Sequence, residues 1–255
     1  MKLSVFFQTA RCAVILVRDG SVFEAETPYQ VSVNGKLAFE TRRTVISLYH
    51  LKPDNDYQVT VEREGQKETV SFQTHREFVT LNVREFGAKG DGIQDDTAFL
   101  QAAIMACPEE SRVLIPKGIY RITSLFLKSH IRVELEEGAA LSAFTDRNKF
   151  PVFPGIIQSW DEKREYNLGT WEGNPLPMFS GIITGVGVED VVIYGQGCIE
   201  GNAGPEPDNW WYDAKVMRGA FRPRMIFLNQ CKNITIQGIT VQNSPSWNIH
   251  PYFSR

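Results

Sequence analysis

The sequence is poor in the residues that build metal clusters and cross-links. Four cysteines, Cys12, Cys107, Cys198 and Cys231, are scattered through 255 residues without a C-x-x-C pair. That argues against a cysteine metal site and leaves them as buried thiols. Charge of one sign is lacking too. The formal net charge is -3, so no global field draws nucleic acid, and a charged ligand must be recognised locally. No segment approaches the ~20 consecutive apolar residues that span a bilayer. The opening MKLSVFFQTARCAVILVRDG holds a lysine and two apolar runs. Gln8, Thr9 and Arg11 divide them, and no leader-type hydrophobic region survives. As written the sequence fits the cytoplasm, with a secreted or periplasmic protein as the alternative. What is present is ordinary for a soluble globular chain, at 42% hydrophobic and 22% charged. The length allows one large domain or two smaller ones.

Two styles of sequence follow one another. Up to about Thr74 the chain reads as short strands alternating with period two. YQVSVNGKLAF places Val31 and Val33 on one face, and Asn34-Gly35 makes a hairpin turn because both residues tolerate positive φ. TVISLYHLKPDNDYQVTVEREGQKETVSFQT predicts three further strands, with a corner at Pro53-Asp54-Asn55 and a turn at Glu64-Gly65. After the linker THREFVTL comes NVREFGAKGDGIQDDTAFLQAAIMACP. Here Leu100, Ile104 and Cys107 share a helical face, and Pro108 ends the helix. Asp95-Asp96 at the helix start reads as capping and dipole complementation rather than an acid/base pair.

Beyond that point the chain is strand and turn, and it repeats. HIRVELEEGAAL, DVVIYGQGCIEG and NITIQGITVQNS each open on a polar residue followed by apolar, any, apolar. Another strand precedes each opening: YRITSLFL, FSGIITG, RMIFL. A spacing of about 23 residues from Ile226 to Ile249 predicts a solenoid of stacked coils with parallel pairing between them. The longer gaps from His130 to Asp190 and from Asp190 to Asn233 are coils with inserted loops, which map to one face of a solenoid, often the binding face. The fold class expected is all-β: a parallel β-helix over residues 77–255, preceded by a small β-sandwich over residues 1–76.

Three stretches carry resemblances to known families. LKPDNDYQVTV resembles the tyrosine corner of a fibronectin type III module, which implies that the Tyr57 hydroxyl bonds to backbone near Leu51. Such a module implies a spacer or a docking surface. NVREFGAKGDGIQDDTAFLQAAI is similar to the opening of right-handed parallel β-helix proteins that act on polysaccharides. GQGCIEGN, NWWYD and FRPRMIFLNQCKNITIQGITVQNSPSWNIHPY resemble glycoside hydrolase family 28, the polygalacturonases, and a fibronectin-like module ahead of such a helix is similar to bacterial exo-acting members. The resemblance implies inverting hydrolysis of α-1,4-galacturonosyl bonds by two carboxyl groups and water, without a cofactor. The family's N-T-D, D-D, G-H-G and R-I-K motifs follow the N-S-P-x-W-x-x-H stretch in relatives. None follows it here, and Asp95-Asp96 stands at a helix start instead. The catalytic aspartates are therefore expected past Arg255, and this stretch alone is expected to be inactive.

The candidate residues present are substrate contacts, with pectic polysaccharide or an oligogalacturonide as the expected partner. In WNIHPY, alternation sends Trp247 and Ile249 one way, Asn248 and His250 the other. Ile249 falls in line with Ile226 and Ile183, so it faces inward while Asn248 and His250 face the groove. By resemblance this strand belongs to the cleft floor; a surface histidine bonded to a neighbouring coil is the plain alternative. AGPEPDNWWYDAKVMRGAFRPR joins Trp210 and Trp211 to Lys215, Arg218, Arg222 and Arg224. Aromatic faces stack on sugar C–H surfaces, and guanidinium groups hold carboxylates with two parallel bonds. The alternative is that the tryptophans fasten the loop to the helix and the arginines are structural. The segment PVFPGIIQSWDEKREYNLGTWEGNPLPMFSG reads as a long loop without regular structure, walling one end of the groove and favouring exo cleavage. A non-catalytic, tailspike-like sugar binder is the second reading. A pectate lyase, which needs clustered carboxylates for calcium, ranks last.

Overall fold

The computed structural model describes residues 1–171, 173–212 and 221–255. The chain forms two compact units, Met1–Phe78 and Val79–Arg255. The first is a β-sandwich. One antiparallel sheet holds Lys2–Gln8, Ala13–Arg18 and Val45–Leu48, and the other Lys36–Arg43, Glu24–Val33, Asp56–Arg63 and Gln66–Gln73 in that spatial order. Both hairpins of the second sheet turn through two residues of positive φ: Asn34 at 49° with Gly35 at 77°, and Glu64 at 51° with Gly65 at 77°. That turn twists in the same sense as the strands it joins. Alternation sends Ala13, Ile15 and Val17 inward to meet Tyr29, Val31, Val59 and Val61 in one apolar layer. At the corner, the Tyr57 hydroxyl accepts a bond from the Lys52 N–H at 2.8 Å while its ring stacks on Phe72.

Near its start the second unit carries the helix Thr97–Ala106, which buries Leu100, Ala103 and Ile104 and stops before Pro108. Its two leading aspartates divide their work differently from the capping expected of the pair. Asp95 accepts from the Thr97 N–H and hydroxyl. Asp96 is fully buried and makes no side-chain cap. Its carboxylate turns back to accept from the N–H groups of Lys89 and Gly90 at 2.9 and 3.0 Å, tying down the preceding loop.

Among the described residues this unit holds three parallel sheets that share a core. The first holds Thr80–Asn82, Arg112–Ile115, Ile131–Leu135, Glu189–Gly195 and Lys232–Gln237. The second holds Asp91–Asp95, Gly118–Ile122, Ala139–Ala143, Cys198–Glu200 and Thr240–Gln242. The third holds Leu125–Phe126, Ile183–Val186, Ile226–Asn229 and Ile249–Tyr252. This is a right-handed parallel β-helix, the hand that parallel crossovers take. Each sheet sends apolar columns inward, among them Val113, Val133, Ile193, Ile236; then Tyr120, Leu141, Ile199, Val241; then Leu125, Ile183, Ile226, Ile249. Ile249 heads the third column on an edge strand, so it stays 44% exposed where Ile226 is fully buried.

The polar residue that opens each repeat has a backbone cause. His130, Asp190 and Asn233 occupy the same position in successive coils and have φ of 57°, 55° and 51°. Left-handed backbone favours residues whose short polar side chains bond locally. Gly195 lies in register with Leu135, and a Cβ there would sit 2.1 Å from the Leu135 carbonyl oxygen.

The inserted segments leave the second sheet and re-enter the third, one between Ala143 and Ile183, the other between Glu200 and Ile226. The former is not the irregular loop its composition suggests. It folds as three short antiparallel pairings: Val152–Phe153 with Met178–Phe179, Ile156–Gln158 with Glu165–Asn167, and Thr170–Trp171 with Asn174–Pro175. The four cysteines are free thiols.

Candidate substrate-binding site

The outward rows of the third sheet are Thr184, Phe227, His250 and, two residues on, Val186, Asn229, Tyr252. The hairpin insertion lies over these rows and is fastened to them by side-chain-to-backbone bonds. Asn229 donates to the Asn167 carbonyl, Gln230 to the Glu165 carbonyl, and Asn167 to the Tyr252 hydroxyl. A cavity of about 450 Å³ opens beside them. Its walls come from Thr170, Trp171 and Met178 of the insertion and from Phe221, Arg222 and Arg224 on the approach to Ile226. Ser246, Trp247, His250 and Tyr252 close the remaining side. Among the described residues, no carboxylate lines it.

Aromatic rings shape the space. Trp171 stacks on Phe221 with centroids 4.9 Å apart and planes 3° from parallel. Trp247 stacks on His250 at 5.5 Å, and His250 leans on Phe227 at 5.6 Å. Arg224 lies beneath, 4% exposed, with its guanidinium carbon 4.9 Å from the Phe227 ring centre. Its Nη2 donates to the Thr170 carbonyl at 2.8 Å, which couples the insertion to the sheet. Burial without a counter-ion lowers its pKa to about 10. The same burial, and then the Arg224 charge, push His250 below the usual imidazole range, so the ring is neutral at pH 7. Arg224 Nε and His250 Nδ1 are both buried without a hydrogen-bond partner among the described residues.

The structure brings His250, Arg222 and Arg224 of the sequence candidates to one cavity and treats the others differently. Asn248 is exposed and outside the lining; its contribution is a backbone carbonyl that accepts from Ile226 N–H. Trp210 is a correction. It is fully buried, edge-on to Phe150 at 5.3 Å and Phe179 at 5.6 Å, with Arg147 over its face at 4.7 Å. No ring face is left for a sugar, and it fastens its loop to the core. Trp211 is 41% exposed, donates to the Pro245 carbonyl at 3.4 Å, and stands outside the lining. Lys215 and Arg218 lie outside the described residues.

Trp247 is the second correction. Alternation would send it inward with Ile249, yet it is 64% exposed and lines the cavity. The strand begins at Ile249, so a period of two does not extend back to Trp247. Trp171 and Phe221 were missed as partners because they meet from two different insertions. The only sequence signal was the aromatic content of each.

Residues 112–252 match the profile of glycosyl hydrolases family 28, and residues 80–135 match that of rhamnogalacturonase A/epimerase, pectate lyase-like proteins. The chain is similar to a probable polygalacturonase of Vitis vinifera, 30% identical over 67% of this chain and 34% of the relative. It is similar to an exo-poly-alpha-D-galacturonosidase of Dickeya chrysanthemi, 28% identical over 76% of this chain and 31% of that one. Among solved structures, the family 28 exopolygalacturonase of Yersinia enterocolitica superposes with a TM-score of 0.64 at 19% identity, covering 96% of this chain and 55% of its own, a likeness of fold. The chain thus spans about a third of the length of these curated relatives. With the family profile running through the strands that carry the cavity, the chain belongs to glycosyl hydrolase family 28.

Proposed function

We propose that the protein is a polygalacturonase-type glycoside hydrolase that cleaves α-1,4-galacturonosyl bonds of pectin by inversion with two carboxyl groups, and that it acts from chain ends. The observation that carries this reading is the cavity on the third sheet, walled by stacked aromatics and two arginines and capped by the hairpin insertion. Aromatic faces suit sugar rings and arginines suit uronate carboxylates. We read the hairpin insertion, bonded over the third sheet, as a wall that favours a chain terminus. The names of the Vitis and Dickeya relatives point the same way. We read the Met1–Phe78 sandwich as a fibronectin type III-like spacer or docking module, supported by its three-plus-four strand division and the Tyr57 corner.

The test is product analysis on polygalacturonate, using the protein expressed from its complete reading frame. The reading expects short galacturonates from the earliest time points, with the anomeric configuration inverted in proton NMR. Shortening the insertion between Pro154 and Leu176 is expected to convert the early products to a ladder of long oligomers. A non-catalytic polysaccharide binder is the second reading, favoured by the lack of a carboxylate in the described lining. It predicts binding with no reducing ends released.

A further inference from the structure

We propose that the hairpin formed by Ile156–Gln158 and Glu165–Asn167 carries a second ligand site, outside the cavity already described, which tethers an acidic polysaccharide without presenting it for cleavage. The proposal rests on the pectic reading above and adds a separate contact for the polymer. A second cavity, of about 410 Å³, lies beside this hairpin, and its lining shares no residue with the first. The two stand at opposite ends of the third-sheet strands. The first gathers Arg224 and Trp247, which precede Ile226–Asn229 and Ile249–Tyr252; the second gathers Lys232 and Phe253, which follow them. Tyr166 lines the second cavity, while its neighbour Asn167 is bonded to Tyr252, which lines the first.

Three cations from separate segments converge on the second cavity: Arg164 of the hairpin, Lys232 and Arg255. The Arg255 backbone is fixed there, donating to the Cys231 carbonyl at 2.9 Å and accepting from the Asn233 N–H at 2.8 Å. Arg11, Arg63, Arg112 and Arg132 each hold a carboxylate of the chain. Among the described residues none of the three cations of this cavity does. The one carboxylate in the lining, Glu189, faces His130 at 4.0 Å instead. Exposed cations are ordinarily only solvated. What sets these apart is a shared concavity that also holds the rings of Tyr166 and Phe253. Sugar rings stack on aromatic faces, and their carboxylates pair with cations. At the turn of the same hairpin Trp160 is 97% exposed. That turn is tied down: the Ser159 N–H donates to the Arg164 carbonyl at 2.8 Å, the Arg164 N–H to the Ser159 hydroxyl at 3.0 Å, and that hydroxyl to the Asp161 carboxylate at 2.6 Å. An indole so exposed contributes little to the fold and leaves its faces free for a sugar. With one carboxylate in the described lining, the cavity lacks the pair that inverting hydrolysis requires, so it holds the polymer only.

Affinity electrophoresis through immobilised polygalacturonate tests this, with calorimetric titration of trigalacturonate beside it, on the protein expressed from its complete reading frame. Two sites that engage one polymer raise its apparent affinity above that of a short ligand. The wild-type chain is expected to hold polygalacturonate at least about tenfold more tightly than trigalacturonate. Trp160→Ala and the double variant Arg164→Gln/Lys232→Gln are each expected to lose that advantage while binding trigalacturonate as the wild type does. All three side chains are exposed, so their replacement leaves the core intact. Unchanged retention on polygalacturonate in either variant overturns the proposal, while the pectic reading stands on the trigalacturonate binding. Trigalacturonate affinity that falls as far as polymer affinity would make these residues part of the first site, and also overturns it. If the wild type binds neither ligand, the pectic reading itself fails and the tether fails with it.

Discussion

His250 shows how a single residue reports its surroundings. Burial and the Arg224 charge both disfavour the imidazolium. The unfolded chain takes up a proton at about pH 6.5, while the folded chain resists it. Stability from this residue is therefore full above about pH 6.5 and is lost as pH falls through that value toward the lowered folded pKa. An NMR titration should place the His250 midpoint below the ordinary value, and His250→Asn should flatten the fall in urea stability between pH 7 and pH 5. A midpoint at or above the ordinary value would remove the neutral imidazole from the site. Trp210 makes the opposite case, a residue whose chemistry suggests a ligand and whose position denies it. Wedged against Phe150 and Phe179, it should cost about 3–5 kcal/mol on replacement by alanine, read by urea denaturation. A loss under 1 kcal/mol would mean the ring is not part of the core.

At the scale of elements, periodicity was the legible part. Period-two alternation and the Asn34-Gly35 turn gave the first sandwich strands, and the polar-apolar-any-apolar openings gave the coil register that pairs Ile131, Val191 and Ile234. Those patterns are local, so they survive in the sequence. What stayed hidden depends on partners far along the chain. Nothing in PVFPGIIQSWDEKREYNLGTWEGNPLPMFSG spells its antiparallel pairings, because its strands are two or three residues long. The Trp171–Phe221 stack likewise joins two insertions. Gly195 tests the stacking geometry. Its φ is 124°, and a methyl group there meets the Leu135 carbonyl oxygen, whereas Gly65 at 77° has open space around it. Gly195→Ala should cost about 3 kcal/mol, against about 1 kcal/mol for Gly65→Ala, whose penalty is backbone strain alone. Equal losses would show that adjacent coils are spaced more loosely than the register requires.

For the molecule as a whole, a stack of coils turns sequence distance into adjacency. His250 stands beside Phe227 and Arg224 because one coil separates them, and the insertions can grow from one edge without disturbing the inward columns. The site is built where the third sheet meets these insertions; strand alternation made His250 readable and chemistry made Arg222 and Arg224 readable, whereas the Trp171–Phe221 stack, made between two insertions, was not. The proposed function places a galacturonate chain on this face of the β-helix. Chemical-shift mapping with trigalacturonate on the isotope-labelled chain measures it most directly. The account predicts that the indole signals of Trp171 and Trp247 and the His250 imidazole shift together, saturating at one ligand concentration. Shifts confined to the outer faces of the other two sheets or to the Met1–Phe78 sandwich, with these three rings silent, would contradict it.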